Sequence, residues 1–178
     1  MKKVAIITQT KEGQLSDASK QLISFLSSFK PESILLVALG DVKFSSIAAS
    51  SSIDVIQLSD SLWCDTATLQ PLVSSLDGYS VFGIKSIQVD NLLSLLASIS
   101  SNEFVSGIQQ LQWTSGTYTI NKSIFSGKAS LSLKTQTASY FSFNRNFDFS
   151  GNVEFAEQPI KSSSTLTPGS ASKSTIKS

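Results

Sequence analysis

The chain contains no histidine. It therefore lacks the side chain whose unperturbed pKa lies nearest neutrality and which is the commonest nitrogen ligand of transition metals. Ser-His-Asp and Cys-His nucleophilic sites and His-based metal centres are excluded. Carboxylates, lysines or a bound cofactor remain as sources of chemistry. Asp41, Asp65 and Asp90 stand well apart in the sequence, and separated aspartates usually cap helices or face solvent rather than form an acid/base pair. The single cysteine, Cys64, follows Trp63 with no cationic cluster beside it to lower its pKa, which reads as a structural thiol. No serine sits in a G-x-S-x-G elbow, and runs such as residues 50–52 read as loop and helix-end filler.

Phosphate chemistry is the next question. Neither G-x-x-x-x-G-K-[ST] nor G-x-G-x-x-G occurs, and Gly13, Gly40 and Gly83 stand alone after or near strands. Without a fingerprint, the strand ends at residues 8–10, 39–41 and 83–86 are the places where a parallel sheet would hold a nucleotide-sized ligand. Arg145, between two asparagines after an aromatic strand, is suited to a phosphate or a partner carboxylate, or equally to a solvated turn. Trp63, Trp113, Tyr118, Phe125, Phe141, Phe143, Phe147 and Phe149 lie mostly in or near strands, which favours core or interface packing over a stacking platform.

The elements that must position these groups follow from hydrophobic periodicity. Residues 3–8 (KVAIIT) read as a buried strand, turned by Lys11, Glu12 and Gly13. Ser16 caps a helix that carries Leu22, Ile23, Leu26 and Phe29 at helical spacing and stops at Pro31. A strand at 33–38, a short helix at 44–50 and a strand at 54–58 come next. A helix near 65–75, a strand at 79–83 and a leucine-rich helix near 89–99 continue the alternation. Repeated βα units predict an α/β fold: a doubly wound, mostly parallel sheet with helices on both faces. Beyond Glu103 the runs 104–113, 117–120, 128–134 and 138–143 predict added antiparallel strands, with Gly116 and Gly127 at turns or bulges.

Length and composition bound the rest. The 178 residues suit one domain that buries its own core, read here as 1–160, followed by a disordered tail or linker remnant at 161–178 rich in serine and threonine. Fourteen basic and 13 acidic side chains give a net charge of +1, which supplies no long-range field for nucleic acid or an anionic membrane. No apolar run approaches the roughly 18 residues of a spanning helix, and no signal peptide is legible. A cytoplasmic location is the expectation.

Several segments carry a resemblance. KKVAIITQTKEGQLSDASKQLISF, SILLVALG and VIQLSDSL look like the opening of electron transfer flavoprotein alpha subunits. DTATLQPLVSSL and VFGIKSIQVDNLLSLLASI resemble the family's next elements, with Asp90 retained and Gln88 and Val89 in place of its glycine and arginine. NKSIFSGKASLSLKT is similar to its Arg-Pro-x-Tyr-x-Gly-Asn-Ala segment, aligning Lys122, Ser123, Phe125, Gly127, Lys128 and Ala129. YFSFNRNF looks like a terminal strand ending in Arg-Pro-Gly, with Arg145 retained and Asn146 replacing proline. The resemblance covers about residues 3–155. It implies an adenine-nucleotide-hydrolase-like α/β core without the carboxyl-terminal FAD domain.

On that resemblance the chain is a noncatalytic subunit or docking module using its sheet-end loops and the arm at 144–149. Its partner would be an electron-transfer-flavoprotein beta-like subunit or another flavin-bearing chain. It binds no cofactor alone, meets FAD only through the partner, and offers Lys122, Gly127 and Arg145 as candidate cofactor contacts. The alternative is a stand-alone adenine-nucleotide-binding domain that takes AMP. Aromatic strands late in the chain also permit a homodimer.

Overall fold

The computed structural model describes residues 3–58, 66–136, 139–147, 149 and 154–166. Val4 to Ile7 are buried on both faces of β1 (Lys3–Lys11), as the strand at the centre of a parallel sheet requires. β1 lies between β3 (Ser33–Leu39) and β6 (Ser80–Ile84), parallel to both. From β3 the sheet continues to β5 (Ile53–Leu58) and β11 (Glu157–Leu166), both parallel, and ends at the antiparallel β4 (Ser46–Ala48). From β6 it continues through β10 (Tyr140–Phe143) and β7 (Phe104–Thr114), both parallel, to the antiparallel β8 (Thr117–Ile124) and β9 (Ala129–Thr135). The short β2 (Gln14–Leu15) folds back on β1 through Glu12 and Gly13. Both turn residues have positive φ, the geometry of a two-residue hairpin.

The period-2 alternation of the strands divides the core in two. Val4, Ile6, Ile34, Leu36, Ile53 and Val55 face α1 (Asp17–Ser27) through Leu22, Ile23 and Leu26. Ala5, Ile7, Leu35, Val37, Ile56 and Leu58 face α2 (Thr66–Ser75) and α3 (Ile87–Ile99) through Leu69, Leu72, Leu92, Leu93 and Leu96. Helices thus cover both faces of a mostly parallel sheet. Gly83 lets α3 come close to β6: a Cβ there would meet Val89 Cγ1 at 2.5 Å and the Ile7 carbonyl oxygen at 3.2 Å.

The structure departs from expectation in three places. Residues 44–50, read as a short helix, hold β4 instead. Seven residues form a poor helix nucleus, and the ladder that fixes β4 comes from Glu157 to Pro159, more than a hundred residues away. Residues 161–166, expected to open a disordered tail, belong to β11 instead, and its largely exposed side chains show that main-chain pairing with β5 orders it rather than burial. Residues 167–178 lie outside the described residues. The late strands are also not all antiparallel, since β10 inserts between β6 and β7 as a parallel strand with all four residues buried.

The sheet curls strongly beyond β10. Three strand spacings, about 14 Å, would separate β8 from β6 in a flat sheet. Instead the rings of Tyr118 and Phe82 lie 6.1 Å apart, and the Tyr118 hydroxyl donates to Ser80 Oγ at 2.6 Å. Register shifts in β7 around Gly107, whose φ is +72°, supply the bend. Burial pushes the Tyr118 phenol above its ordinary pKa of 10.0, with the Ser80 hydrogen bond opposing. Burial does the same to Tyr140, whose hydroxyl accepts from Ser100 Oγ at 3.3 Å. Both phenols hold their protons more tightly folded than unfolded. The stability they contribute is therefore complete below the unfolded pKa and is lost as pH rises through it toward the folded value. Alkaline unfolding followed by circular dichroism should show stability falling above pH 10 and a shallower fall in Tyr118→Phe. That variant should also cost about 1 kcal/mol at neutral pH, because Ser80 loses its partner.

Candidate functional site

The carboxyl ends of β1 and β6 open onto a crevice of about 500 Å³. They adjoin because the chain builds outward from β1 to β3 and β5 on one side, then returns to place β6 on the other. Such a reversal leaves the loops after the two strands diverging, with a gap between them. Ile7, Thr8 and Val89 line its inner part, and Thr10 and Lys11 come from the end of β1. Ser16, Ala18 and Ser19 contribute the start of α1, Ile84, Lys85 and Ser86 the β6–α3 link, and Arg145 the turn after β10.

Two helix starts meet here, and each is capped by serine. Ser16 Oγ accepts from the Ser19 amide at 3.1 Å, and Ser86 Oγ accepts from the Val89 amide at 3.1 Å. Each cap satisfies one of the first-turn amides and leaves the earlier ones without an intrahelical acceptor. Ser19 Oγ also shares hydrogen bonds with Thr8 Oγ1 at 2.5 Å and Ser16 Oγ at 2.8 Å. This chain of hydroxyls locks α1 to β1 at the base of the crevice. Thr8 and Ser19 are nearly inaccessible to solvent, so these hydroxyls lie beneath the surface of the crevice.

The rim is cationic. Lys11, Lys85 and Arg145 are exposed, and no carboxylate belongs to the lining. Among the described residues, none of the three forms an ion pair; Lys20 pairs with Asp17 at 3.6 Å on the outer surface of α1. Arg145 is held by a donated bond from Nε to the Lys85 carbonyl at 3.0 Å, and the Lys85 amide donates to the Phe143 carbonyl at 2.8 Å. These bonds tie the β6 and β10 exits together. Three cationic side chains and two helix amino termini border this one space, an arrangement chemically suited to an anion, with Asp17 and Asp90 in the first turns of the two helices outside the lining.

The sequence-based candidates separate clearly. Of the expected strand ends, 8–10 and residues 84–86 of 83–86 come together with Arg145 at the crevice, whereas Gly83 and 39–41 do not line it. Asp41 instead accepts from Gln57 Nε2 at 3.4 Å. Lys122 lies in β8 opposite Ile108 and Leu131, and Gly127 lies in the exposed turn before β9, so neither borders the crevice. The arm at 144–149 does not offer its aromatics to a partner. Phe147 and Phe149 turn inward onto Phe25 and Phe143, with Phe143 and Phe147 centroids 4.5 Å apart, because those apolar rings cap the α1 side of the core. Trp63, Cys64 and Asp65 lie outside the described residues.

Lys11 and Ser19 were not singled out from sequence as ligand contacts, and Lys85 was included only as part of the strand end 83–86. For Lys85 a signal exists: a cation between the strand-end Gly83 and the helix cap Ser86. Among the described residues no three His, Cys, Asp or Glu side chains cluster to hold a metal ion. No described helix is long and apolar enough to cross a membrane. No protein-family model matches the chain, and no curated protein matches it in sequence.

Proposed function

We propose that this chain is a noncatalytic α/β binding domain whose crevice takes the phosphate of an adenine nucleotide. The observation that carries this reading is the convergence of Lys11, Lys85 and Arg145 with two serine-capped helix starts, without a carboxylate in the lining. Hydroxyls and cations there suit anion binding, and the lining contains no carboxylate, thiol or imidazole to act as a base. The order of the parallel strands supports the doubly wound, nucleotide-hydrolase-like core, in which ligands sit at the reversal of strand order.

The test is thermal-shift titration with AMP, adenosine and inorganic phosphate, because a ligand that binds only the native state raises apparent stability. Saturable stabilisation by AMP that weakens with salt is expected, with adenosine much poorer. Arg145→Gln should weaken AMP about tenfold, equivalent to about 1.4 kcal/mol, by removing a charge from the rim. Lys122→Gln should leave affinity unchanged. No saturable shift with AMP in the native chain would sink the reading.

A second reading is an electron transfer flavoprotein alpha-subunit-related module that meets FAD through a beta-like or flavin-bearing partner. The observation that favours it is Ile87, 77% exposed in the first turn of α3 beside Lys85 and Ser86. A large aliphatic side chain at the rim of a cationic crevice suits a partner that carries an anionic cofactor and covers the sheet ends. Co-purification with a flavin-absorbing chain, lost in Ile87→Asp, would support it; AMP binding unaffected by Ile87→Asp and no such companion would count against it.

A further inference from the structure

Among the described residues that line the crevice, Gln9 is the single carboxamide. It stands where β1 leaves the core: Val4 to Thr8 are buried, and Gln9 is exposed. Side chains alternate along the strand, so Gln9 shares the side of Ala5 and Ile7, which face α2 and α3, whereas Thr8 turns to Ser19 of α1. Its ladder partner Leu39 belongs to that same side of the core, as does Val89 at the inner wall of the crevice. The carboxamide therefore enters the crevice on the α3 side, above apolar side chains.

The other polar groups of the lining are committed or carry only donors. Thr8, Ser16 and Ser19 bond to one another, Thr10 Oγ1 donates to the Leu39 carbonyl, and Ser86 Oγ accepts from the Val89 amide. Lysine and arginine donate hydrogen bonds and accept none. The Gln9 carboxamide has no partner among the described residues. It alone offers an uncommitted donor and acceptor side by side, the pattern that pairs with N7 and the N6 amino group of adenine. A 6-oxopurine sets a carbonyl oxygen beside N7, two acceptors, so the amide oxygen would lie there without a partner. The crevice, about 500 Å³, falls in the roughly 300–1,000 Å³ range of small-molecule sites.

We propose that Gln9 is the base-reading residue of the crevice: its amide donates to N7 and its oxygen accepts from the N6 amino group of adenine, while the cationic rim holds the phosphate. This assignment rests on the nucleotide-binding reading above and adds to it the group that separates adenine from 6-oxopurines.

The test compares the affinities of the native chain and its variants for AMP, IMP and GMP by calorimetric titration. AMP should bind the native chain about tenfold tighter than IMP, the scale set by one bidentate pair at a solvent-accessible site. Gln9→Ala should weaken AMP and bring it within about twofold of IMP, since the pair that distinguishes them is gone. Gln9→Arg should reverse the order in favour of GMP, because arginine pairs with O6 and N7 of guanine. Arg145→Gln should weaken all three nucleotides by a similar factor and keep their ratio. Equal affinity of the native chain for AMP and IMP overturns the assignment and leaves the phosphate site standing. So does an AMP-to-IMP ratio that is unchanged in Gln9→Ala. Absence of saturable binding by all three nucleotides removes the nucleotide reading and the assignment together.

Discussion

Phe143→Ala should be among the most damaging single substitutions in this chain, at a cost of about 3–5 kcal/mol. Phe143 is fully buried and meets Phe147 at 4.5 Å, Phe25 and Phe82 at 6.0 Å and Phe149 at 6.3 Å between ring centroids. Removing its ring leaves a void among aromatics held by two strands, one helix and the turn after β10, which cannot collapse together to fill it. The loss is a large share of the roughly 5–15 kcal/mol that holds a domain folded. At about 2–4 °C per kcal/mol for a domain of this size, the melting temperature should fall by about 10 °C. Phe125→Ala removes the same ring from an exposed turn and should scarcely change stability.

The same substitution should reach the crevice. The turn carrying Arg145 is closed by a bond from the Phe147 amide to the Asn144 carbonyl, and the Phe143 carbonyl accepts from the Lys85 amide. Loosening Phe143 frees both cations from a fixed geometry. AMP affinity should therefore fall in Phe143→Ala at temperatures where circular dichroism still reports a folded chain. Unchanged affinity there would show that the aromatic cluster does not position Arg145.

Gly83→Val should rank with it, by the opposite mechanism of overpacking. A Cβ at position 83 lies 2.5 Å from Val89 Cγ1, 3.2 Å from the Ile7 carbonyl oxygen and 3.3 Å from Leu93 Cδ1. Val89 and Leu93 are buried, and the Ile7 oxygen belongs to the central strand, so relief requires moving α3 away from β6. Gly83→Ala should cost about 1–3 kcal/mol and Gly83→Val more, measured by urea unfolding. Val89→Ala introduced into Gly83→Ala should recover part of the loss, giving a favourable coupling between the two sites. Moving α3 also carries Ser86 and Lys85 out of place, so AMP stabilisation should decline in the same series. Additive effects of the two substitutions would mean that the close approach at Gly83 is not what limits the packing.

Periodicity in the sequence was enough to reveal the parallel core. Val4 to Ile7 and Ile34 to Leu39 are apolar at every position, as strands covered on both faces must be, and Leu22, Ile23 and Leu26 repeat at helical spacing with Ser16 as cap. These are local signals, written within a dozen residues. β4 and β11 carry no such signal because their order comes from ladders with distant segments, and Ser162 to Thr165 in β11 have no apolar side chain to advertise a strand. The place of β10 between β6 and β7 is likewise a question of pairing that YFSF cannot answer alone.

The crevice divides in the same way. Strand ends at Thr8 and Gly83, the cap at Ser16 and the cation at Arg145 were each legible as separate features. Their meeting was not, since Lys11, Lys85 and Arg145 are spread over more than a hundred residues and share no motif. By itself the sequence determined the strands and helices of the parallel core, though not β4 or β11, and which chemistry is excluded, because periodicity and residue type are local properties. Only the tertiary structure decided that three cations and two helix starts face one another and that Phe147 and Phe149 turn inward. Those outcomes depend on strand order and sheet curvature, which arise from long-range pairing and packing.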